Sequence, residues 1–105
     1  MPRVGFKMQL KDESVVPEYE KLHEEIGTDV LAAHTRAGMH NYSIFRDGLT
    51  LFARLEVEDF DAAIRHLETE PIMKVWWAKT NPLMQTDATG TKPLFVILKE
   101  VFYMD

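Results

Sequence analysis

The chain has 105 residues, of which 46% are hydrophobic and 28% are charged. This composition fits a single globular domain over residues 1–105 and excludes disordered and fibrous proteins. The formal charge of −5, with no run of Lys or Arg, argues against a nucleic-acid partner, because phosphate backbones bind clustered positive charge.

The absence of cysteine and of long apolar runs excludes further classes. Without cysteine, the chain cannot form disulfides, thiolate nucleophiles or sulfur-ligated metal sites. No apolar stretch approaches the about 18 residues of a membrane span, and the first residues lack the pattern of a signal peptide. We therefore expect a cytoplasmic protein with no membrane partner.

The first part of the chain predicts a strand followed by a helix. Alternating apolar residues predict a strand over residues 4–10. Ser14 is the expected N-cap of a helix over residues 15–26, whose apolar positions recur at helical spacing. Gly27 is expected to end or bend this helix.

The next segment predicts a helical continuation and a hairpin. Thr28 is expected to cap the continuation, and Gly38 to end it in a left-handed conformation. Strand-like runs over residues 39–45 and 49–57 are joined by Arg46-Asp47-Gly48. Because Asp-Gly between apolar runs is a strong hairpin signal, these strands should pair antiparallel.

The last part predicts two helices and a strand. Asp59 or Glu58 is expected to open an amphipathic helix, and Pro71 fits the first turn of another helix that runs through Trp77. After a polar loop, residues 94–104 are expected to form a strand buried on at least one face.

The resulting order, β-α-β-β-α-β, indicates an α+β fold of the ferredoxin-like type. In this fold the helices cover one face of a four-stranded antiparallel sheet and leave the other face bare. Adjacent strand positions are both apolar in pairs such as Ile44-Phe45 and Leu51-Phe52, so neither face is typical of a solvated surface. We infer a homodimer packed sheet against sheet; the alternative is a pocket within a curled sheet.

Tyr19 and His23 are the first candidates for chemistry, because side chains four residues apart meet on one helical face. An unperturbed imidazole titrates near ~6.5, where a group both gives and takes protons efficiently. A half-exposed histidine at a helix edge, without any function, is the alternative. His34 shares a face with Val30 and is expected to be partly buried, but we assign it no chemical role.

The second strand and the tryptophan pair offer aromatic candidates for a sugar pocket. Strand alternation places His40, Tyr42 and Ile44 on one face, so His40 should accompany Tyr42. Trp76 and Trp77 project about 100° apart, so at most one can point into the centre of the core. Indoles stack on pyranose rings, but packing in a core or a dimer interface explains these aromatic residues as well.

Motifs for other chemistry are absent from the sequence. His23 with Glu24 and Glu25 provides no shared ligand face, and no zinc-binding histidine pair occurs. There is neither a Gly-rich phosphate loop nor a serine nucleophile motif. We therefore expect no metal and no nucleotide cofactor.

Four groups of residues occur in an order that together characterises one known family. They are Tyr19-x-x-x-His23, His40-Asn41-Tyr42, Trp76-Trp77 and the near-terminal Glu100-Val101-Phe102-Tyr103. Each group alone is a weak signal. Taken together they span nearly the whole chain, which closely resembles the L-rhamnose mutarotase family.

This resemblance implies an isomerase of carbohydrate metabolism that interconverts the α and β anomers of L-rhamnose without a cofactor. It also implies a dimeric ferredoxin-like α+β barrel, in which the terminal strand can be exchanged between subunits. His23 matches the proton donor of the family. The positions matching its sugar-binding residues are Tyr19, Tyr42, Trp76 and Trp77, whereas His40 and Asn41 match a motif to which we assign no role.

Opening a pyranose requires a proton delivered to the ring oxygen and another removed from the anomeric hydroxyl. Our hypothesis is that His23 protonates the ring oxygen, while Tyr19, or a water that it orients, assists at the anomeric hydroxyl. Two segments depart from the family pattern. Residues 26–29 read Ile-Gly-Thr-Asp where members have Ile-Trp-Pro-Glu, and residues 85–90 replace a loop resembling Asn-Pro-Asp-Asn-Ser-Pro. The exact sugar, L-rhamnose or a related 6-deoxy pyranose, is therefore open.

Two further functions are compatible with the sequence. One is a cofactor-free enzyme of another class, such as an oxygenase on the same dimeric barrel, since one fold supports many chemistries. The other is a dimer that binds a monosaccharide without turning it over, if the two altered segments have abolished catalysis. Oxygen consumption with an aromatic substrate would indicate the oxygenase. Saturable sugar binding without faster anomer exchange would indicate the non-catalytic dimer.

Overall fold

The computed structural model describes residues 1–90 and 92–105 and contains one four-stranded sheet. Short 3-10 turns at Glu13–Val15 and Asn81–Leu83 accompany the regular elements. In chain order these elements are β1 (Arg3–Gln9), α1 (Val16–Glu24), α2 (Thr28–Arg36), β2 (His40–Asp47), β3 (Thr50–Glu56), α3 (Phe60–Thr69), α4 (Pro71–Thr80) and β4 (Phe95–Leu98).

The strand order is β2-β3-β1-β4, and every neighbouring pair is antiparallel. Each crossover contains two helices, α1 with α2 and α3 with α4. This topology confirms the predicted α+β, ferredoxin-like β-α-β-β-α-β fold. None of the described helices is long and apolar enough to cross a membrane.

The core lies between the helices and one face of the sheet. On β3 the side chains of Leu51, Ala53 and Leu55 are buried, whereas the intervening Phe52 and Arg54 are exposed. Ala53 and Leu55 pack with residues of α2, α3 and α4 in one apolar cluster, whereas Leu51 packs in a second cluster with Tyr19 of α1 and Leu83. Phe45 lies opposite Phe52, so the other face of the sheet carries large apolar side chains that the chain itself leaves uncovered.

Predicted turns and caps were correct where proline, glycine or aspartate sets the local geometry. Asp59 caps α3 by accepting a hydrogen bond from the Ala62 amide at 3.0 Å. Gly38 follows α2 with φ 90°, and the Met39 amide donates to the His34 carbonyl at 3.0 Å, as in a Schellman motif. Pro71 is the first residue of α4, as expected, although that helix continues to Thr80.

Two predicted N-caps were wrong. The Asp12 carboxylate, not Ser14, caps the first turn by accepting from the Ser14 amide at 2.9 Å, because an aspartate oxygen reaches the amide two residues on. Thr28 is already helical, and the residue before α2 is Gly27 with φ 86° and ψ 153°. The connection between α1 and α2 therefore has a conformation that glycine alone adopts easily.

The prediction of a strand over residues 94–104, buried on at least one face, was also wrong. Only Phe95–Leu98 is a strand, and each of its side chains is between 38% and 55% exposed. Because Leu98 already pairs with Gly5, and β1 begins at Arg3, almost no strand remains for later residues to join. Beyond Leu98 the chain leaves the sheet, and Arg3 holds Glu100 by side-chain hydrogen bonds of 2.8 and 2.9 Å.

Candidate active site

A pocket of about 640 Å³ opens between the helices and the edge of the sheet formed by β2. Side chains of α1, α2, α4, β2 and β3 line it. The apolar side of the wall includes Ile26, Ile44 and Leu51, and the polar side includes two histidines and two glutamates. A space of this size accommodates a small ring-shaped molecule.

His23 lies in this pocket between two aromatic rings. Its ring centroid is 4.3 Å from that of Tyr19 and 5.2 Å from that of Trp76, which it meets edge to face. Nδ1 of His23 is 2.9 Å from the backbone carbonyl oxygen of Tyr19. Because a carbonyl oxygen can only accept, Nδ1 carries the hydrogen, and Nε2 is the nitrogen left to exchange protons with a ligand.

Tyr19 and Tyr42 supply hydroxyl groups from different walls of the pocket. Burial raises the pKa of the Tyr19 phenol far above its ordinary value of 10.0, and that of Tyr42 to about 12. Both phenols therefore stay neutral near pH 7. They can donate and accept hydrogen bonds, but neither is a phenolate base.

Tyr42 reaches the pocket because β2 is irregular next to it. The pairing of β2 with β3 shifts register between His40 and Ser43, and Asn41 within this bulge has φ 50°. The bulge interrupts simple alternation, so Tyr42 lines the pocket while the predicted companion His40 is exposed and does not. Asn41 donates its side-chain amide to Glu56, which stabilises the bulge rather than the pocket.

The structure separates the two tryptophans. Trp76 is 8% exposed and contacts His23 in the pocket. Trp77 is half-buried against the core and lines a different cleft, together with Asn81 and Thr86. Because neighbouring helical residues project about 100° apart, the pair cannot line one small pocket from the same helix.

His34 belongs to the pocket, although sequence reasoning assigned it no chemical role. It lies on α2, its Nδ1 is 2.8 Å from the Val30 carbonyl oxygen, and its ring meets Tyr42 edge to face at 5.8 Å. Its spacing from Val30 correctly predicted partial burial. That spacing could not show that Tyr42 stands opposite.

Charged residues border the same space. The Arg46 guanidinium donates to Glu20 at 3.0 Å and to the Gly48 carbonyl at 2.9 Å, so Glu20 is held in an ion pair. Glu24 follows one turn later on the rim. These groups place negative and positive charge near the mouth of the pocket.

The two segments that depart from the family pattern lie in different places. Ile26 lines the pocket, and a side-chain Cβ added at Gly27 would meet nothing within 4 Å. Thr86 and Gly90, by contrast, line the cleft of Trp77. Only the segment around Gly27 can alter the His23 pocket directly.

Fold and pocket together define a small α+β protein that can enclose a polar ring and transfer protons to it. The comparisons with known proteins agree. The family model described as L-rhamnose mutarotase matches residues 3–104. The chain therefore belongs to the L-rhamnose mutarotase family. It is a sugar mutarotase, an isomerase that interconverts anomers.

Individual relatives show how far this likeness extends. The L-rhamnose mutarotase of Oceanobacillus iheyensis is 39% identical, with both chains covered completely. That of Bacillus subtilis is 40% identical over 84% of this chain and 85% of its own. A crystal structure of L-rhamnose mutarotase from Formosa agariphila superposes with a TM-score of 0.81 at 30% identity, covering both chains fully.

Proposed function

We propose that this protein interconverts the α and β anomers of L-rhamnose, or of a closely related 6-deoxy pyranose, by acid/base-assisted ring opening and closure. The observation that carries the proposal is one pocket that brings together His23, Tyr19, Tyr42 and Trp76. The apolar wall of Ile26, Ile44 and Leu51 suits the methyl group of a 6-deoxy sugar.

His23 is the proposed proton donor to the ring oxygen. Its Nδ1–H is engaged by the Tyr19 carbonyl, which fixes the ring and reserves Nε2 for the sugar. A protonated Nε2 delivers its proton to the ring oxygen as the bond to the anomeric carbon breaks, and retrieves it on closure. General acid catalysis of this kind contributes on the order of 10²- to 10⁴-fold.

The remaining predicted residues have supporting roles. Neutral phenols at Tyr19 and Tyr42 can hydrogen-bond sugar hydroxyls, and Tyr19 assists at the anomeric hydroxyl as a hydrogen-bond partner. Trp76 offers an indole against the C–H face of the ring. A sugar contact by Trp77 would have to be made outside this pocket, since its cleft is separate.

We also propose a homodimer in which the bare faces of two sheets pack together. Phe45, Phe52 and Val96 are 67%, 40% and 52% exposed on this face. In the segment after β4, residues 99–105, Val101 and Phe102 are 86% and 78% exposed. Large apolar side chains exposed on one sheet face are typical of an interface, although Lys7 lies between Phe52 and Val96 in the same row. The cytoplasmic location stays a prediction from the sequence.

The activity is tested by saturation-transfer NMR of anomer exchange in L-rhamnose, with and without protein, using L-fucose and D-glucose as sugar controls. We expect faster exchange for L-rhamnose than for D-glucose, since the methyl group of L-rhamnose meets the apolar wall. Exchange at the uncatalysed rate for each sugar, from a folded sample, would contradict the proposed function.

A further inference from the structure

A second imidazole faces the pocket from a different wall than His23. His34 is on α2, half-buried, and its ring packs against Tyr42 at 5.8 Å. His23 is on α1 and packs against Tyr19 and Trp76. The space available to a ligand is therefore bordered by two histidines on separate helices.

Both imidazoles are held in the same way. Each Nδ1 is bonded to the carbonyl oxygen four residues earlier in its own helix, at 2.9 Å for His23 and 2.8 Å for His34. Since a carbonyl accepts only, each Nδ1 keeps its hydrogen and each Nε2 is the nitrogen able to gain or lose a proton. The helix backbone thus prepares both rings for proton transfer through Nε2.

Mutarotation uses one proton donor and one proton acceptor, because one proton is delivered to the ring oxygen while another is removed from the anomeric hydroxyl. Tyr19 and Tyr42 are poor proton acceptors, because burial raises the pKa of both phenols and so keeps each hydroxyl protonated near pH 7. Glu20 is occupied by Arg46 at 3.0 Å. Glu24 is exposed at the rim, whereas His34 is half-buried in the wall and packs against Tyr42. Among the residues that line the pocket, the imidazole of His34 is therefore best suited to accept the proton.

We infer that His34 is the second catalytic residue of this pocket: its neutral Nε2 takes the proton of the anomeric hydroxyl while His23 protonates the ring oxygen. This inference rests on the proposed function. As the bond from the anomeric carbon to the ring oxygen breaks, its electron pair goes to that oxygen, and the anomeric oxygen forms the carbonyl. His23 becomes neutral and His34 protonated, and after rotation of the open chain, closure returns both protons.

The two proposed proton-transfer roles predict a pH dependence of the exchange rate. The titratable and charged groups that line the pocket with His34 are Tyr42 and Arg46 on β2 and Tyr19, Glu20, His23 and Glu24 on α1. The residue that α4 contributes to the pocket wall, Trp76, does not titrate. The active form has His23 protonated and His34 neutral. Exchange should therefore slow at low pH, as His34 gains a proton, and at high pH, as His23 loses its proton.

Two substitutions separate proton transfer from packing. In His34→Asn, the side-chain amide can occupy the place of Nδ1 and keep the bond to the Val30 carbonyl, but it cannot titrate. In His34→Gln, the amide reaches the place of Nε2 and can hydrogen-bond the sugar without taking its proton. His66→Gln is the matched control, because His66 lies on α3, 43% exposed beside Glu70 and outside the pocket lining.

The experiment measures L-rhamnose anomer exchange against pH for the wild type and these three variants. We expect both His34 variants to lose about 10²-fold or more in rate and to lose the slowing at low pH, with His66→Gln unchanged. Wild-type rates in the His34 variants, or slower rates with the same two-sided pH profile, would overturn the inference while leaving the proposed function intact. An inactive wild type would overturn the proposed function itself.

A second measurement covers the case in which the His34 variants fail to fold. In the wild type, L-rhamnose should shift the imidazole C–H resonances of both His23 and His34, whereas those of His66 stay in place. A shift at His23 without one at His34 would place His34 out of contact with the sugar and overturn the inference.

Discussion

At the scale of single residues, a bond to the helix backbone decides which nitrogen of His23 can do chemistry. Four-residue spacing brings Nδ1 to the Tyr19 carbonyl at 2.9 Å, and the same spacing stacks the two rings at 4.3 Å. The sequence Tyr19-x-x-x-His23 therefore sets both the tautomer of the histidine and the position of its aromatic neighbour. The proposed proton transfer through Nε2 relies on this local geometry and on the sheet that closes the pocket opposite.

The tryptophan pair gives a prediction at this scale. Trp76→Phe should raise the KM for the sugar by about 2- to 10-fold, because a smaller ring covers less of the pyranose in a pocket that Trp76 lines. Trp77→Phe should raise KM less, since Trp77 faces a separate cleft. The KM values come from exchange rates measured against sugar concentration. Equal increases would indicate that Trp77 meets a sugar too, from outside its own chain's pocket.

At the scale of elements, the connection from α1 to α2 depends on one glycine. Gly27 has φ 86° and ψ 153°, a conformation that costs other residues about 1–3 kcal/mol. A Cβ there would meet nothing within 4 Å, so the cost comes from the backbone and not from a clash. Gly27→Ala should therefore lower the free energy of unfolding by about 1–3 kcal/mol, as measured by urea denaturation.

Gly48→Asn is the matched control for this substitution. Gly48 has φ 60°, within the left-handed region that asparagine tolerates, and a Cβ added there would also meet nothing within 4 Å. Its loss of stability should be smaller than that of Gly27→Ala. If Gly27→Ala is as stable as the wild type, the connection has another conformation available.

The helical layer also contains an ion pair with a defined pH dependence. Arg36, at the end of α2, donates to Glu70, the residue before α4, at 2.5 and 2.9 Å. These bonds, together with one from His66, lower the pKa of Glu70 from 4.5 to about 2. Because the pKa is lower in the folded protein, the stabilisation is present above about pH 4.5 and is lost as the pH falls towards 2.

Arg36→Gln should accordingly reduce stability at pH 6 and make little difference near pH 2. Unfolding by denaturant at pH 6 and at pH 2 measures the stability of the variant and of the wild type. Arg65→Gln, at an exposed position of α3, is the control, and its effect should not change between the two pH values. A loss in Arg36→Gln that is the same at pH 6 and pH 2 would contradict the role of the ion pair.

The sequence predicted the elements where local chemistry sets them and failed where distant contacts do. Asp47-Gly48 and Pro71 mark turns and helix starts by their own conformational limits, so the hairpin and α4 were predictable. The bulge at Asn41 arises from pairing with β3, and the exit of the chain after Leu98 arises from the length of β1. The local sequence around Asn41 or Leu98 therefore predicts neither the bulge nor the end of the strand.

The candidate site, like the fold, was predictable only in part. The resemblance indicated His23, Tyr19, Tyr42, Trp76 and Trp77. The structure places the first four around one pocket and Trp77 in a separate cleft. The resemblance did not indicate His34, whose relation to the site depends on α2 packing opposite the edge strand. Helical spacing within α2 shows only that one face is buried, not which residue of another element stands opposite.

At the scale of the whole molecule, the bare sheet face should determine the oligomeric state. Phe45→Glu introduces a charge into this face, where Phe45 is 67% exposed in the single chain, and should convert the proposed dimer to a monomer. Val75→Glu, on α4 and 53% exposed, is the control that should stay dimeric. Sedimentation velocity distinguishes the two states. A wild type that sediments as a monomer would contradict sheet-against-sheet packing.

The proposed role of His23 is tested most directly by comparing anomer exchange in L-rhamnose for the wild type and His23→Asn, by saturation-transfer NMR near pH 7. Asparagine can keep the bond to the Tyr19 carbonyl, so the fold and pocket remain while the proton donor is removed. We predict fast exchange for the wild type and a loss of about 10²-fold or more for the variant. A folded His23→Asn protein that exchanges anomers as fast as the wild type would contradict proton donation by His23.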